Sequence, residues 1–119
     1  MSGLLLCDDL IFASRVTGTA QALGLSVKVA RSPEALLQLA EKEAPGGVLI
    51  DLANPGLDLP ALLSQLRTRG VTRVMAYGSH VDTATLRAAR EAGCEPILPR
   101  SAFVEQLPTA LPGWLGAAS

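Results

Sequence analysis

The stretch Gly47-Val48-Leu49-Ile50-Asp51-Leu52-Ala53-Asn54-Pro55-Gly56-Leu57-Asp58 decides how the rest of the chain is read. Val48 to Ile50 is a short apolar run of the kind that forms a strand buried on both faces. Asp51 ends it abruptly. A carboxylate at the end of a buried strand is not a packing choice, because a buried charge needs a partner. Pro55-Gly56 then turns the chain, and Asp58 is placed to cap a helix whose apolar stripe is Leu59, Leu62, Leu63 and Leu66.

Working outward, the same strand-then-helix unit recurs. Before it, Gly3 to Cys7 reads as a first strand, stopped by Asp8-Asp9. Phe12, Val16, Ala20 and Leu23 mark a helix closed by Gly24. Leu25 to Ala30 reads as a second strand. Ser32-Pro33-Glu34 is a helix start, with Leu36, Leu39 and Ala40 as its apolar side. After it, Arg73 to Tyr77 reads as a fourth strand and Gly78-Ser79-His80 as a loop. Asp82 caps a helix that ends at Gly93, and Pro96 to Leu98 reads as a fifth strand. Ser101 opens a last helix with Phe103, Val104 and Leu107. Pro108 and Pro112 are expected to shorten or kink it, and residues 113–119 to fray. Five strands alternating with five helices argue for one α/β domain over residues 1–119, a parallel sheet with helices on both faces.

Bulk properties narrow the function. The chain has 119 residues, 49% hydrophobic, with 10 basic and 11 acidic residues and a formal net charge of -1. That balance offers neither a basic footprint for nucleic acid nor a polybasic membrane patch. The start lacks the character of a signal peptide and no apolar run approaches a membrane span, so a cytoplasmic protein is expected. Cys7 and Cys94 have neither metal-ligand nor redox spacing and read as small core residues at opposite ends of their strands.

Chemistry gathers where such a sheet puts it, at the carboxyl ends of the strands. The first strand ends at Asp8 and Asp9, the third at Asp51, the fourth at Gly78 and Ser79, and the fifth at Arg100. Three converging carboxylates repel one another, and a hard cation such as Mg²⁺ removes that conflict. A nucleophilic carboxylate, a metal and a fixed cation together suit a phosphoryl group. Asp8 and Asp9 also read simply as acids favourable at a helix N-terminus. His80 and Tyr77 read as a solvated loop residue and a part-buried aromatic.

The chain resembles the receiver domain of two-component response regulators over essentially its whole length. The most specific part is Asp51-Leu52-Ala53-Asn54-Pro55-Gly56, with Asp8-Asp9 and the Asp82 to Gly93 helix in support. The resemblance implies a flavodoxin-like sheet of order 2-1-3-4-5 in a three-layer sandwich. It implies a phosphoryl group accepted on Asp51 from a sensor histidine kinase or phosphotransfer protein. Mg²⁺ would be held by Asp8, Asp9, Asp51 and the backbone carbonyl of Ala53. Output would be a protein partner docking on the fourth helix, fifth strand and fifth helix, a face including Arg87, Arg90 and Phe103. The resemblance does not imply an enzyme.

The departures are specific. Gly78 stands at the family's switch threonine or serine, with Ser79 the nearest hydroxyl. Arg100 replaces the lysine, and Ile97 the aromatic switch residue. Arginine can hold a carboxylate in a standing ion pair. Two rivals follow. One is a pseudo-receiver that binds its partner without phosphorylation. The other is a small enzyme with an aspartate nucleophile, which lacks an acid–base residue. A dinucleotide site is disfavoured because no Gly-x-Gly-x-x-Gly follows a strand.

Overall fold

The computed structural model describes residues 2–116. Five strands, β1 (Ser2–Leu6), β2 (Ser26–Ala30), β3 (Gly47–Asp51), β4 (Val74–Gly78) and β5 (Ile97–Pro99), alternate with α1 (Leu10–Ala22), α2 (Pro33–Glu43), α3 (Leu59–Thr68), α4 (Thr83–Ala92) and α5 (Arg100–Trp114). The strands pair in parallel in the order β2-β1-β3-β4-β5, the expected flavodoxin-like order.

Strand alternation divides the interior in two. Leu4, Leu6, Val48, Ile50, Val74 and Ala76 face one side and pack with Leu36, Leu62, Leu63 and Leu66 from α2 and α3. Leu5, Cys7, Leu49, Met75 and Tyr77 face the other, against Val16 of α1 and Phe103, Leu107 and Leu111 of α5. Asp51 has the same parity as Leu49, so it lies on the α1/α5 side. Local chemistry sets the helix starts. Asp9, Ser32, Asp58 and Asp82 each accept backbone N–H groups in the first turn of α1, α2, α3 and α4. Leu23 is the one residue of the expected α1 stripe that stays exposed. Among the described residues no helix is long and apolar enough to cross a membrane.

The last helix corrects the sequence reading. It begins at Arg100, one residue before Ser101, and has no side-chain cap. It also runs unbroken through Pro108 and Pro112 to Trp114. An interior proline costs roughly 3 kcal/mol, whereas each fully buried large apolar side chain contributes about 1.5–3 kcal/mol. Phe103, Leu107, Leu111 and Trp114 all bury along one stripe, so packing outweighs the two lost backbone bonds. Nor does the chain fray from Gly113. Trp114 and Leu115 are buried; residues 117–119 of the expected tail lie outside the described residues.

Gly46 and Gly47 make this possible. A Cβ on Gly47 would run into the Trp114 carbonyl oxygen, and one on Gly46 into that of Leu115. The end of α5 thus seats directly on the backbone at the start of β3. Gly47→Ala is expected to lower stability by about 1–3 kcal/mol through overpacking against that backbone, read as a lower urea midpoint with unchanged slope.

Candidate functional site

The carboxyl edge of the sheet brings Asp51 and Arg100 together. Asp51 ends β3 with 4% of its surface exposed. Its Oδ1 accepts the Ala53 backbone N–H at 2.9 Å, an interaction that shapes the turn into Asn54. Its Oδ2 lies 3.5 Å from an Nη of Arg100. The contact is an ion pair, not the bidentate clamp that arginine can make. The Arg100 guanidinium also lies over the Phe12 ring, 4.9 Å from its centroid, and 6.0 Å from that of Tyr77. Phe12 of α1 and Tyr77 of β4 therefore set where this cation, at the start of α5, sits.

Cys7 is part of the same site, which spacing arguments had left in the core. One residue past β1 and on the Asp51 side, it is fully buried, and its thiol donates to Asp51 Oδ2 at 3.7 Å. Burial pushes the thiol upward from its ordinary range; the nearby Tyr77 hydroxyl and the Asp9 backbone oppose this, while the Asp51 charge adds to it. Tyr77 is fully buried, not part-buried. Its hydroxyl has no well-directed hydrogen-bond partner, although the Cys7 thiol lies beside it. Burial and the neighbouring Asp51 charge hold its phenol protonated well above the usual range. The face alternation that pairs Asp51 with Tyr77, and sets Cys7 level with them, was the available signal.

The acid pair goes elsewhere. Asp8 is exposed and pairs with Arg31 at 3.2 Å. Asp9 caps α1, accepting from Ile11 and Phe12 N–H groups at 3.0 Å. Among the described residues no group of three or more acidic, histidine or cysteine side chains is arranged to hold a metal. In these contacts Asp8 and Asp9 each engage one carboxylate oxygen, and Asp51 engages both. Asn54, also absent from the earlier reading, is buried and donates to the Arg31 carbonyl at 3.1 Å, tying the β3–α3 loop to the end of β2.

Gly78 is the buried last residue of β4, and a Cβ there would come within 3.3 Å of Leu52. Leu52 thus takes the room a serine or threonine would need. Ser79 is exposed, and its hydroxyl accepts the Val81 N–H at 3.4 Å. His80 stands in the exposed loop, as expected. Arg87 and Arg90 of α4 are exposed, but Phe103 is not available to a partner: it is fully buried, stacked between Tyr77 at 4.3 Å and Trp114 at 5.2 Å. Cys94 lies on the other side of the sheet, its thiol pushed up to about 11 by burial.

The chain is similar in structure to response-regulator receiver domains. A candidate response regulator of Chloroflexus aurantiacus superposes with a TM-score of 0.81 at 23% identity, over 96% of each chain. The receiver domain of Francisella response regulator 1452 gives 0.79 at 20% identity, over 96% of this chain and 95% of that one. The receiver domain of the sensor histidine kinase PA1611 of Pseudomonas aeruginosa, which carries a magnesium ion in its active-site cleft, gives 0.80 at 18% identity over 98% of both. The chain therefore has the receiver fold. Its sequence matches no protein-family profile and no curated protein.

Both thiols are expected to resist a disulfide reagent in the native protein near pH 8, with two reacting on denaturation. A thiolate is the reactive form, and burial disfavours it at both positions. Rapid native labelling of Cys7 would contradict the buried Cys7–Asp51 contact.

Proposed function

We propose that this chain works as a receiver-type signalling domain, and that Asp51 is its phosphoryl acceptor. The observation that carries this reading is the buried Asp51 carboxylate at the end of the central strand of a receiver fold, with a guanidinium 3.5 Å away. One Asp51 oxygen would attack the phosphorus of a phosphohistidine on a sensor kinase or phosphotransfer protein. The P–O bond forms as the P–N bond breaks, and the imidazole nitrogen leaves with a proton. Arg100 would then pair with the phosphoryl oxygens instead of the carboxylate. When bound, Mg²⁺ would neutralise phosphoryl charge. Asp8, Asp9, Asp51 and the Ala53 backbone carbonyl are the groups that would hold it.

On this reading the domain is not an enzyme beyond its own phosphorylation. It signals through a protein contact, and the face bearing exposed Arg87 and Arg90 beside the edge strand β5 favours an acidic partner surface.

A second reading has its own observation. Asp8 is paired with Arg31, Asp9 is engaged in capping, and Gly78 leaves no hydroxyl at the end of β4. This arrangement favours a pseudo-receiver that docks a partner in one fixed state.

Intact mass after incubation with acetyl phosphate and Mg²⁺ separates the two. Phosphorylation predicts a mass gain of one phosphoryl group that alkali removes, present in the parent and absent in Asp51→Asn. Arg100→Lys is expected to label about fivefold faster, since releasing a half-exposed ion pair is worth about 1 kcal/mol. No mass gain in the parent, or a gain that survives Asp51→Asn, would leave the pseudo-receiver reading standing alone.

A further inference from the structure

Beside the Asp51 site lies a groove of about 820 Å³ between α1, the β4–α4 loop and the start of α5. Its walls include Phe12 and Arg15 from α1, Ser79 and His80 from the loop, and Arg100 and Ser101 from α5. No acidic side chain lines it, although the chain as a whole has a net charge of -1. The positive character is therefore local. Among the described residues the Arg15 side chain makes neither an ion pair nor a hydrogen bond, so nothing in the fold accounts for its charge. Arg100 gives only one Nη to Asp51, and a guanidinium carries five N–H donors. The N-terminus of α5 opens at Arg100 and Ser101 without a side-chain cap, which leaves backbone N–H groups and the positive end of the helix dipole at the same wall.

Size and shape exclude a bare anion as the natural occupant. A groove of this volume falls within the roughly 300–1,000 Å³ of sites for small organic ligands and far exceeds a phosphate ion. Phe12 and Val104 supply apolar wall, and the Arg100 guanidinium over the Phe12 ring makes a flat surface on which a ring can stack. We propose that this groove binds a small organic anion pairing a planar ring with a phosphate, a ligand of nucleoside monophosphate class. The phosphate is held by Arg15 and the α5 N-terminus, and the ring lies against Phe12 and Arg100. The proposal goes beyond the phosphoacceptor reading and does not depend on it, because Arg15 and Phe12 have no part in phosphoryl transfer to Asp51.

The test is calorimetric titration of the whole chain with AMP, GMP, CMP and UMP, alongside adenosine and inorganic phosphate, with amide shifts recorded at Phe12 and Ser101. At least one monophosphate is expected to bind, with its nucleoside and phosphate alone each at least tenfold weaker. Arg15→Ala, an exposed substitution that leaves the core intact, is expected to weaken that binding about tenfold. Binding by none of the four monophosphates overturns the proposal. So does phosphate alone binding as tightly, Arg15→Ala having no effect, or shifts that avoid Phe12 and Ser101.

Discussion

The constraint on which this edge of the molecule depends is the burial of one carboxylate. Asp51 keeps 4% of its surface, and a charge so placed without partners costs several kcal/mol. Three groups meet it: the Ala53 N–H on one oxygen, the Cys7 thiol and the Arg100 guanidinium on the other. The Ala53 N–H is local to the turn, but Cys7 and Arg100 come from distant parts of the chain, and the sheet register sets them level. Arg100 is nearly half exposed, so its direct Coulombic contribution is modest. Its placement matters more. Phe12 and Tyr77 hold the guanidinium over their rings, and this fixes which oxygen it faces.

Those rings connect the site to the far end of the domain. Phe12, Tyr77, Phe103 and Trp114 form a run of stacked contacts with centroids 4.3–5.8 Å apart. Trp114 in turn packs at the end of α5, whose backbone sits on Gly46 and Gly47 at the opposite end of β3. The chain has only four aromatic residues, and all four lie in this run. The α1/α5 side of the sheet is thus built around one aromatic column leading to Arg100. The other side is aliphatic, with Leu36, Leu62, Leu63 and Leu66 against the strands.

What could be read in advance follows from range. The Gly47 to Asp58 stretch, the capping residues and the α3 leucines express local rules, and each stands where its spacing placed it. Phe103 and the prolines of α5 were misjudged because tertiary packing decided them: a stripe of four buried side chains carries the helix across both prolines and takes Phe103 out of reach of a partner. Strand parity made the company of Cys7 and Tyr77 legible in principle, since residues 7, 51 and 77 share a face once the register is known. The place of Asp9 at the start of α1 was legible as a helix N-terminal acid, whereas the pairing of Asp8 was not. That pairing turns on Arg31, a loop residue far along the chain.

Arg100 and Gly78 stand at the ends of neighbouring strands, beside Asp51. A hydroxyl at position 78 would need space that Leu52 occupies, and Leu52 packs with the aliphatic core. Without that hydroxyl, the groups able to respond to charge on Asp51 are a neighbouring thiol with a raised pKa, a backbone N–H fixed by a turn, and one guanidinium. Only the guanidinium can move without disturbing the core. A change of charge at Asp51 would therefore be transmitted through Arg100 to Phe12 and the start of α5, on the α1/α5 side, and only weakly to α4, whose sole fully buried residue is Ala89. The same residue that pairs with the Asp51 carboxylate is thus also the one through which a change in its charge would be felt.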